Sequence, residues 1–379
     1  MFSYWILFSA YATGALNVGR AGRLRAGATW ALGAVLLFTA LMIGLRYQVG
    51  ADWFNYERIF DESRRMSFAS ALQSSDPGFS LLNLAVARLG AGIITVNVVC
   101  AAIFCWGLRM FLRGEPSPWL AGLVAVPYLI IVVSMGYTRQ GVAIGFILAA
   151  IASFNQGRRF KMIILIILAA AFHKSAVVVL PLLALAAPRN RLVTALVLAV
   201  AGALLYYLFV SAQIEQLMTN YVEAQYNSQG AWIRVGMNLP PALLFLLLQR
   251  RFVASKQERL LWRNFSLASL GALLLLLTTT SSTAVDRISL YLIPLQMFVI
   301  GRLPHALATG PQSYRQLILA VIIYSAAIQA VWLNLAVHAA AWLPYQAYPF
   351  GEDLKNPYDL LDGAHLHLPQ HDMAGPRLA

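Results

Sequence analysis

The sequence predicts an all-α, polytopic integral membrane protein of about 12 transmembrane or re-entrant helices, and three observations carry that reading. Hydrophobic residues fill 60% of the 379 positions and charged residues only 11%, too little polar surface to cover a soluble globule of this length. Apolar runs such as Ala31 to Leu45, Leu192 to Val210, Leu267 to Thr280 and Leu317 to Leu333 recur along the chain. At about 1.5 Å per residue, with flanking residues drawn in where needed, they reach across a hydrocarbon core of roughly 30 Å. The basic residues gather in stretches between these runs. Despite a net charge of +13, that distribution is a topology signal, with no soluble basic face for nucleic acid. Backbone groups in lipid must be paired within their own segment, so the runs are helices. The alternating segments of a membrane barrel are not found in the sequence.

Taken in order, the runs predict spans at 2–18, 27–45, 92–112, 118–136, 138–155, 160–172, 175–187, 192–211, 231–249, 264–282, 287–302 and 315–335. The first run has no basic stretch ahead of it and reads as a retained span. The two runs flanking His173 have about 13 residues each where roughly 20 are needed. A broken or re-entrant hairpin is therefore expected, with His173-Lys174-Ser175 at the break. The loop from Arg46 to Ile93 mixes Trp53, Phe54, Tyr56, Ile59 and Phe60 with charged residues, a pattern of amphipathic helices lying in the interface. Residues 1–337 read as one transmembrane domain with long outer loops at 46–92 and 211–231, and 338–379 as a polar tail, disordered at its end. Cys100 and Cys105 lie together in an apolar run and support neither a disulfide nor a metal site, and no cofactor is expected.

Charge gives the orientation. The clusters Arg20/Arg23/Arg25, Arg109/Arg113, Arg158/Arg159/Lys161, Arg189/Arg191, Arg250/Arg251/Lys256/Arg259/Arg263 and Arg302/Arg315 hold 17 of the 28 basic residues and only Glu115 and Glu258 among the acids. By the positive-inside rule these loops are cytoplasmic, and both termini lie outside.

Four polar breaks then fall on the outer side. They are Arg46 to Tyr56, with Gly50 and Asp52; Tyr137-Thr138-Arg139-Gln140-Gly141 at the mouth of a span; His173-Lys174; and Asp286-Arg287, followed by Ser289 and Tyr291. Each has a bland account: a snorkelling arginine, a helix-end arginine reaching the headgroups, a helix-to-helix histidine hydrogen bond, an internal Asp286–Arg287 ion pair. Four on one face, in spans otherwise nearly free of charge, point to one site. Three arginines and Lys174, with Asp52 and His173 nearby, suit a pyrophosphate-bearing substrate and a hydroxyl to be deprotonated.

The ordered set Arg46-x-x-x-Gly50-x-Asp52-x-x-x-Tyr56, Asp76-Pro77-Gly78-Phe79, Arg139-Gln140, Phe172-His173-Lys174-Ser175, Arg287 and Tyr291 resembles the EpsG family of exopolysaccharide polymerases. Trp342-Leu343-Pro344-Tyr345 is similar to the family's C-terminal ending, and Asp76 stands where Glu is usual. The resemblance implies a Wzy-like glycosyltransferase of the bacterial inner membrane that joins repeat units carried on undecaprenyl pyrophosphate at the periplasmic face. Under that implication Arg46, Arg139 and Arg287 hold the pyrophosphates, helped by Lys174. His173 or Asp52 takes the acceptor proton, Tyr56 and Gln140 orient the sugars, and Tyr291 is a further substrate-binding residue. Partners would be the lipid-linked glycan, membrane lipid, and a chain-length regulator and flippase of the same pathway. A flippase or other transporter, and an O-antigen-type ligase, are the alternatives.

Overall fold

The computed structural model describes residues 1–17, 26–187, 230–278 and 282–352, without the side chains of 26–28. The predicted span at 192–211, nearly all of the loop at 211–231, the clusters Arg20/Arg23/Arg25 and Arg189/Arg191, and the tail from Asp353 lie outside the described residues.

The described chain is helical throughout. α1 (Phe2–Leu16) and α2 (Ala26–Gly44) come first. The loop after α2 then supplies three short helices, α3 (Trp53–Ser63), α4 (Phe68–Leu72) and α5 (Pro77–Arg88). α3 is amphipathic as expected, burying Trp53, Tyr56, Phe60 and Ser63 while its Arg58–Glu62 pair stays in solvent. α6 (Ile93–Leu112) and α7 (Pro118–Ala125) follow, and α7 continues into a π-helical stretch over Val126–Ser134. Pro127 lies in that stretch and has no N–H to donate, so the wider hydrogen-bonding pattern has a local cause.

Next come α8 (Thr138–Asn155) and α9 (Arg159–Phe172). At His173 the backbone turns extended, with φ −156° and ψ 110°, before a 3₁₀ turn (Lys174–Val178) and α10 (Val179–Ala186). The predicted break is therefore present at the predicted residue. α11 (Ala231–Gly236) and α12 (Leu239–Leu248) divide the run read as one span at 231–249. α13 (Lys256–Thr278), α14 (Ser282–Ser289), α15 (Pro294–Leu307) and α16 (Pro311–Leu335) complete the bundle, and a 3₁₀ turn (Val337–Trp342) follows.

Among the described residues four stretches are long and apolar enough to cross a membrane: Ile93–Leu112, Ala231–Leu248, Lys256–Thr278 and Pro311–Leu335. A fifth is reached if Ser282–Leu292 and Pro294–Leu307, bent by 41°, count as one. Other predicted spans, such as Thr29–Gly44 and Pro118–Ser134, are apolar but shorter. Length alone therefore assigns fewer crossings than the hydropathy reading does.

Burial explains why some of these helices are short and unusually rich in small residues. In α8 every residue except Arg139 and the terminal Asn155 is buried, so this helix faces protein on all sides and forms the axis of the bundle. α6 and α9 pack along it. The approach to α6 is so close that a Cβ on Gly145 would stand 2.7 Å from Phe104 Cα. By contrast α9, α13 and α16 expose Ile163, Ile167, Leu274, Leu277, Ile323 and Leu335, the apolar outer surface that a lipid solvent requires.

The helices define two ends. One carries the Arg46–Tyr56 loop, the starts of α6 and α8, His173 and α14; Tyr4 Oη donates to Trp342 O there (2.8 Å), so residues near both ends of the described chain join it. The other carries Glu115, Glu258 and Arg302, joined by ion pairs of 2.7 and 2.9 Å. A cavity of about 610 Å³ opens at this second end, away from the predicted site residues.

Gly145→Val is expected to wedge α8 from α6 and lower the unfolding temperature in detergent, at a cost of about 1–3 kcal/mol. Gly33→Ala, where an added Cβ meets nothing within 4 Å, should leave it unchanged. Equal effects of the two substitutions would refute the close-packing account.

Candidate functional site

The loop after α2 begins as extended chain because it is paired. Arg46 bridges Ala347 in antiparallel fashion, Tyr47 N–H donates to Gln346 O (3.0 Å), and Tyr348 N–H to Leu45 O (2.7 Å). Gly50 then turns the chain into α3. Its φ of +108° belongs to the glycine region, and a Cβ there would lie 2.5 Å from Met135 O. The spacing Arg46, Gly50, Asp52, Tyr56 is thus an anchor, a turn, the residue before α3, and a residue one helical turn inside it.

Arg46 is 1% exposed. Its guanidinium donates to Ile43 O (2.5 Å), Asn97 Oδ1 (3.2 Å) and Thr138 Oγ1 (2.7 Å), and stands 5.9 Å from the centre of the Trp53 ring. This corrects the expectation that Arg46 grips a pyrophosphate. A cation so far from water must be met by fixed dipoles, and this one is committed to protein acceptors beneath the site.

Asp76 belongs to the motif but carries no role by sequence alone. Pro77 opens α5, and Gly78 lets α5 approach α9 so closely that a Cβ there would be 3.0 Å from Phe172. That contact sets the Asp76 carboxylate, 4% exposed, against the break at His173. Asp76 Oδ2 pairs with Arg139 Nη1 at 2.7 Å and lies 3.7 Å from His173 Nδ1. Asp76 Oδ1 accepts the Lys174 N–H at 3.1 Å. Burial pushes this carboxyl up, but the His173 imidazole, the Arg139 guanidinium and the Lys174 amide outweigh it and hold the carboxyl below the ordinary range.

The other predicted residues connect to this hub. Tyr56 Oη accepts the Arg139 backbone N–H (3.4 Å), and the Arg139 guanidinium lies 5.8 Å from the Tyr56 ring centre. Gln140 Nε2 donates to Arg287 O (2.6 Å). The Arg287 guanidinium lies 5.1 Å from the Tyr137 ring centre. Ser175 Oγ donates to Tyr291 Oη (3.4 Å). Asp52 is half-buried and forms no ion pair within the described residues. Burial pushes its carboxyl up, opposed by Arg287 and Arg139.

The Asp286–Arg287 ion pair considered from sequence is not formed. Asp286 is taken by Arg234, Nε to Oδ1 at 2.6 Å and Nη2 to Oδ2 at 2.7 Å. Among the described residues Arg287 therefore forms no ion pair. Arg234 carried no signal in the sequence, since its pairing spans 52 positions.

The EpsG family model matches residues 29–347, which takes in every residue of this cluster. The chain belongs to the EpsG family. No curated protein and no solved structure matches it. The family is associated with Wzy-like polymerases of polysaccharide biosynthesis.

Arg46→Gln is expected to leave buried acceptors short of a donor and to cost about 1–3 kcal/mol, read as a lower unfolding temperature in detergent. Arg287→Ala should leave that temperature unchanged; a loss as large as that of Arg46→Gln would contradict the placement of the two. The Asp76 contribution to stability is fully present above the ordinary carboxylate pKa of about 3.9 and is lost as pH falls through the depressed value. Thermal stability should therefore fall below about pH 4 in the wild type, and less steeply in Asp76→Asn.

Proposed function

We propose that this protein is a polysaccharide polymerase that joins oligosaccharide repeat units carried on undecaprenyl pyrophosphate at the periplasmic face of the inner membrane. In this reading the chain crosses or re-enters the membrane about a dozen times, with both termini outside. It works beside a flippase that delivers the units and a chain-length regulator.

The observation that carries the proposal is a set of cations not neutralised by one another's neighbours. Arg287 has lost Asp286 to Arg234, Lys174 offers an ammonium beside the break at His173, and Arg139 shares one nitrogen with Asp76 and has a second Nη to give. Next to them stand two groups able to accept a proton, Asp52 and His173. A glycosyl pyrophosphate and a sugar hydroxyl have the matching needs.

The step balances as follows. The anomeric C–O bond to the pyrophosphate of the growing chain breaks, and the acceptor oxygen forms the new glycosidic bond. The acceptor proton passes to His173 or Asp52, and undecaprenyl pyrophosphate leaves with the bonding electron pair. Arg139, Arg287 and Lys174 stabilise the charge that develops on it. Gln140 and Tyr56 hold the two arginines from behind, and Tyr291 closes the side next to Ser175.

Purified protein in liposomes, given a synthetic undecaprenyl-pyrophosphate repeat unit, is expected to produce a polymer ladder. A ligase would transfer to an added acceptor without a ladder, and a flippase would move the lipid with no new bond; either result would overturn the proposal. Arg139→Ala and Arg287→Ala should each lower the rate about 10²–10³-fold. Wild-type polymer length and rate in both variants would remove the arginines from the mechanism.

A further inference from the structure

Two groups in the cluster can accept a proton, and their surroundings differ. Among the described residues no protein group is bonded to the Asp52 carboxylate, which feels the charges of Arg139 and Arg287, the cations assigned to the leaving group, so nothing there holds it in one orientation. His173 instead has a carboxylate behind it.

The geometry of that carboxylate is specific. Asp76 Oδ1 is fixed by the Lys174 N–H at 3.1 Å, and Oδ2 by Arg139 Nη1 at 2.7 Å. Held at both oxygens, it faces His173 Nδ1 at 3.7 Å. This is longer than a formed hydrogen bond, as catalytic pairs often are before substrate tightens them. Nδ1 is buried and has no other hydrogen-bond partner among the described residues. The side chain is 16% exposed, so Nε2 is the nitrogen left to meet a substrate. Extended backbone at His173 aims the ring, and the 3₁₀ turn that starts at the next residue fixes that backbone through Ala176 N–H to His173 O (2.9 Å).

We propose that Asp76 is the positioning residue of the site, keeping the His173 proton on Nδ1 so that Nε2 takes the proton of the acceptor hydroxyl. The acceptor O–H bond breaks as the new C–O bond forms, the proton moves to Nε2, and the resulting imidazolium is stabilised by the Asp76 carboxylate. The proton is later released to water, and Asp76 itself stays ionised. The Arg139 pair at 2.7 Å holds the carboxylate for this task. This inference rests on the polymerase reading above.

The test is a double-mutant cycle in the liposome assay, using the full chain and the synthetic lipid-linked repeat unit. Asp76→Asn is expected to lower kcat about 10²–10⁴-fold with KM within about threefold, because the substrate-contacting groups remain. Asp76→Glu, which keeps the carboxylate, should recover activity to within about tenfold of wild type. His173→Ala should lose about as much as Asp76→Asn. The double variant should lose no more than about tenfold beyond either, since residues that act as a unit are not additive.

If the two losses multiply, or if Asp76→Asn raises KM with kcat unchanged, Asp76 does not act through His173 and the proposal fails. Should Asp76→Asn not fold, Asp76→Glu still decides it: a folded Glu variant as inactive as His173→Ala overturns the role. A wild-type protein that makes no ladder refutes the polymerase reading itself. A wild-type ladder with full activity in Asp76→Asn refutes only this inference.

Discussion

Arg46 carries a full positive charge into a place where it is 1% exposed and forms no ion pair among the described residues. Neutral oxygens must answer it, and they come from three elements: Ile43 at the end of α2, Asn97 on α6 and Thr138 at the start of α8. The Trp53 ring at the start of α3 adds a fourth. Desolvating a guanidinium is costly unless such partners are held in place. The loop end of the bundle is therefore arranged around one side chain. Moving any of these elements would strand the charge.

The candidate site inherits its precision from that constraint. Thr138, tied to Arg46, immediately precedes Arg139 and Gln140, so the first turn of α8 is pinned from below while its cation points outward. The segment after α16 adds a second restraint. Trp342 Nε1 donates to Ile131 O in the π-helical stretch (2.9 Å), and the Ala341 carbonyl takes the Gly50 N–H (2.8 Å). The ending Trp342-Leu343-Pro344-Tyr345 is thus a clasp on the loop that bears Asp52. Charge placement differs between the ends: Arg302 and Arg234 have their carboxylates, whereas Arg287 and Lys174 form no ion pair among the described residues.

Much of this was legible in the chain. Among the described residues helices stand at the positions given by the apolar runs, because a bilayer leaves the backbone no alternative. The break at His173 followed from two runs too short to cross. Asp76 bonds to Arg139 and to the Lys174 N–H, and Tyr56 bonds to the Arg139 backbone, whereas the Asp52 side chain joins none of these bonds among the described residues. Less legible were how many of the runs form helices long enough to cross by themselves, and the burial of Arg46. Hydropathy reads α8 as a lipid-spanning helix, although its residues are buried in protein on nearly all sides; an apolar run does not say whether lipid or protein covers it.

The sequence by itself determined the helical class, the membrane solvent and the family, since these depend on composition, local hydrogen bonding and ordered motifs. Tertiary structure decided which charges are spent and which are free. Arg46 and Arg287 are alike as letters, each at an outer helix end. One is consumed by Asn97 and Thr138; the other is freed because Arg234 captures Asp286 across 52 positions. Asp76 became central for the same reason, its partner Arg139 lying 63 positions away and Lys174 98. Electrostatic partners are chosen by distance in the folded bundle, and spacing along the chain carries no record of that distance.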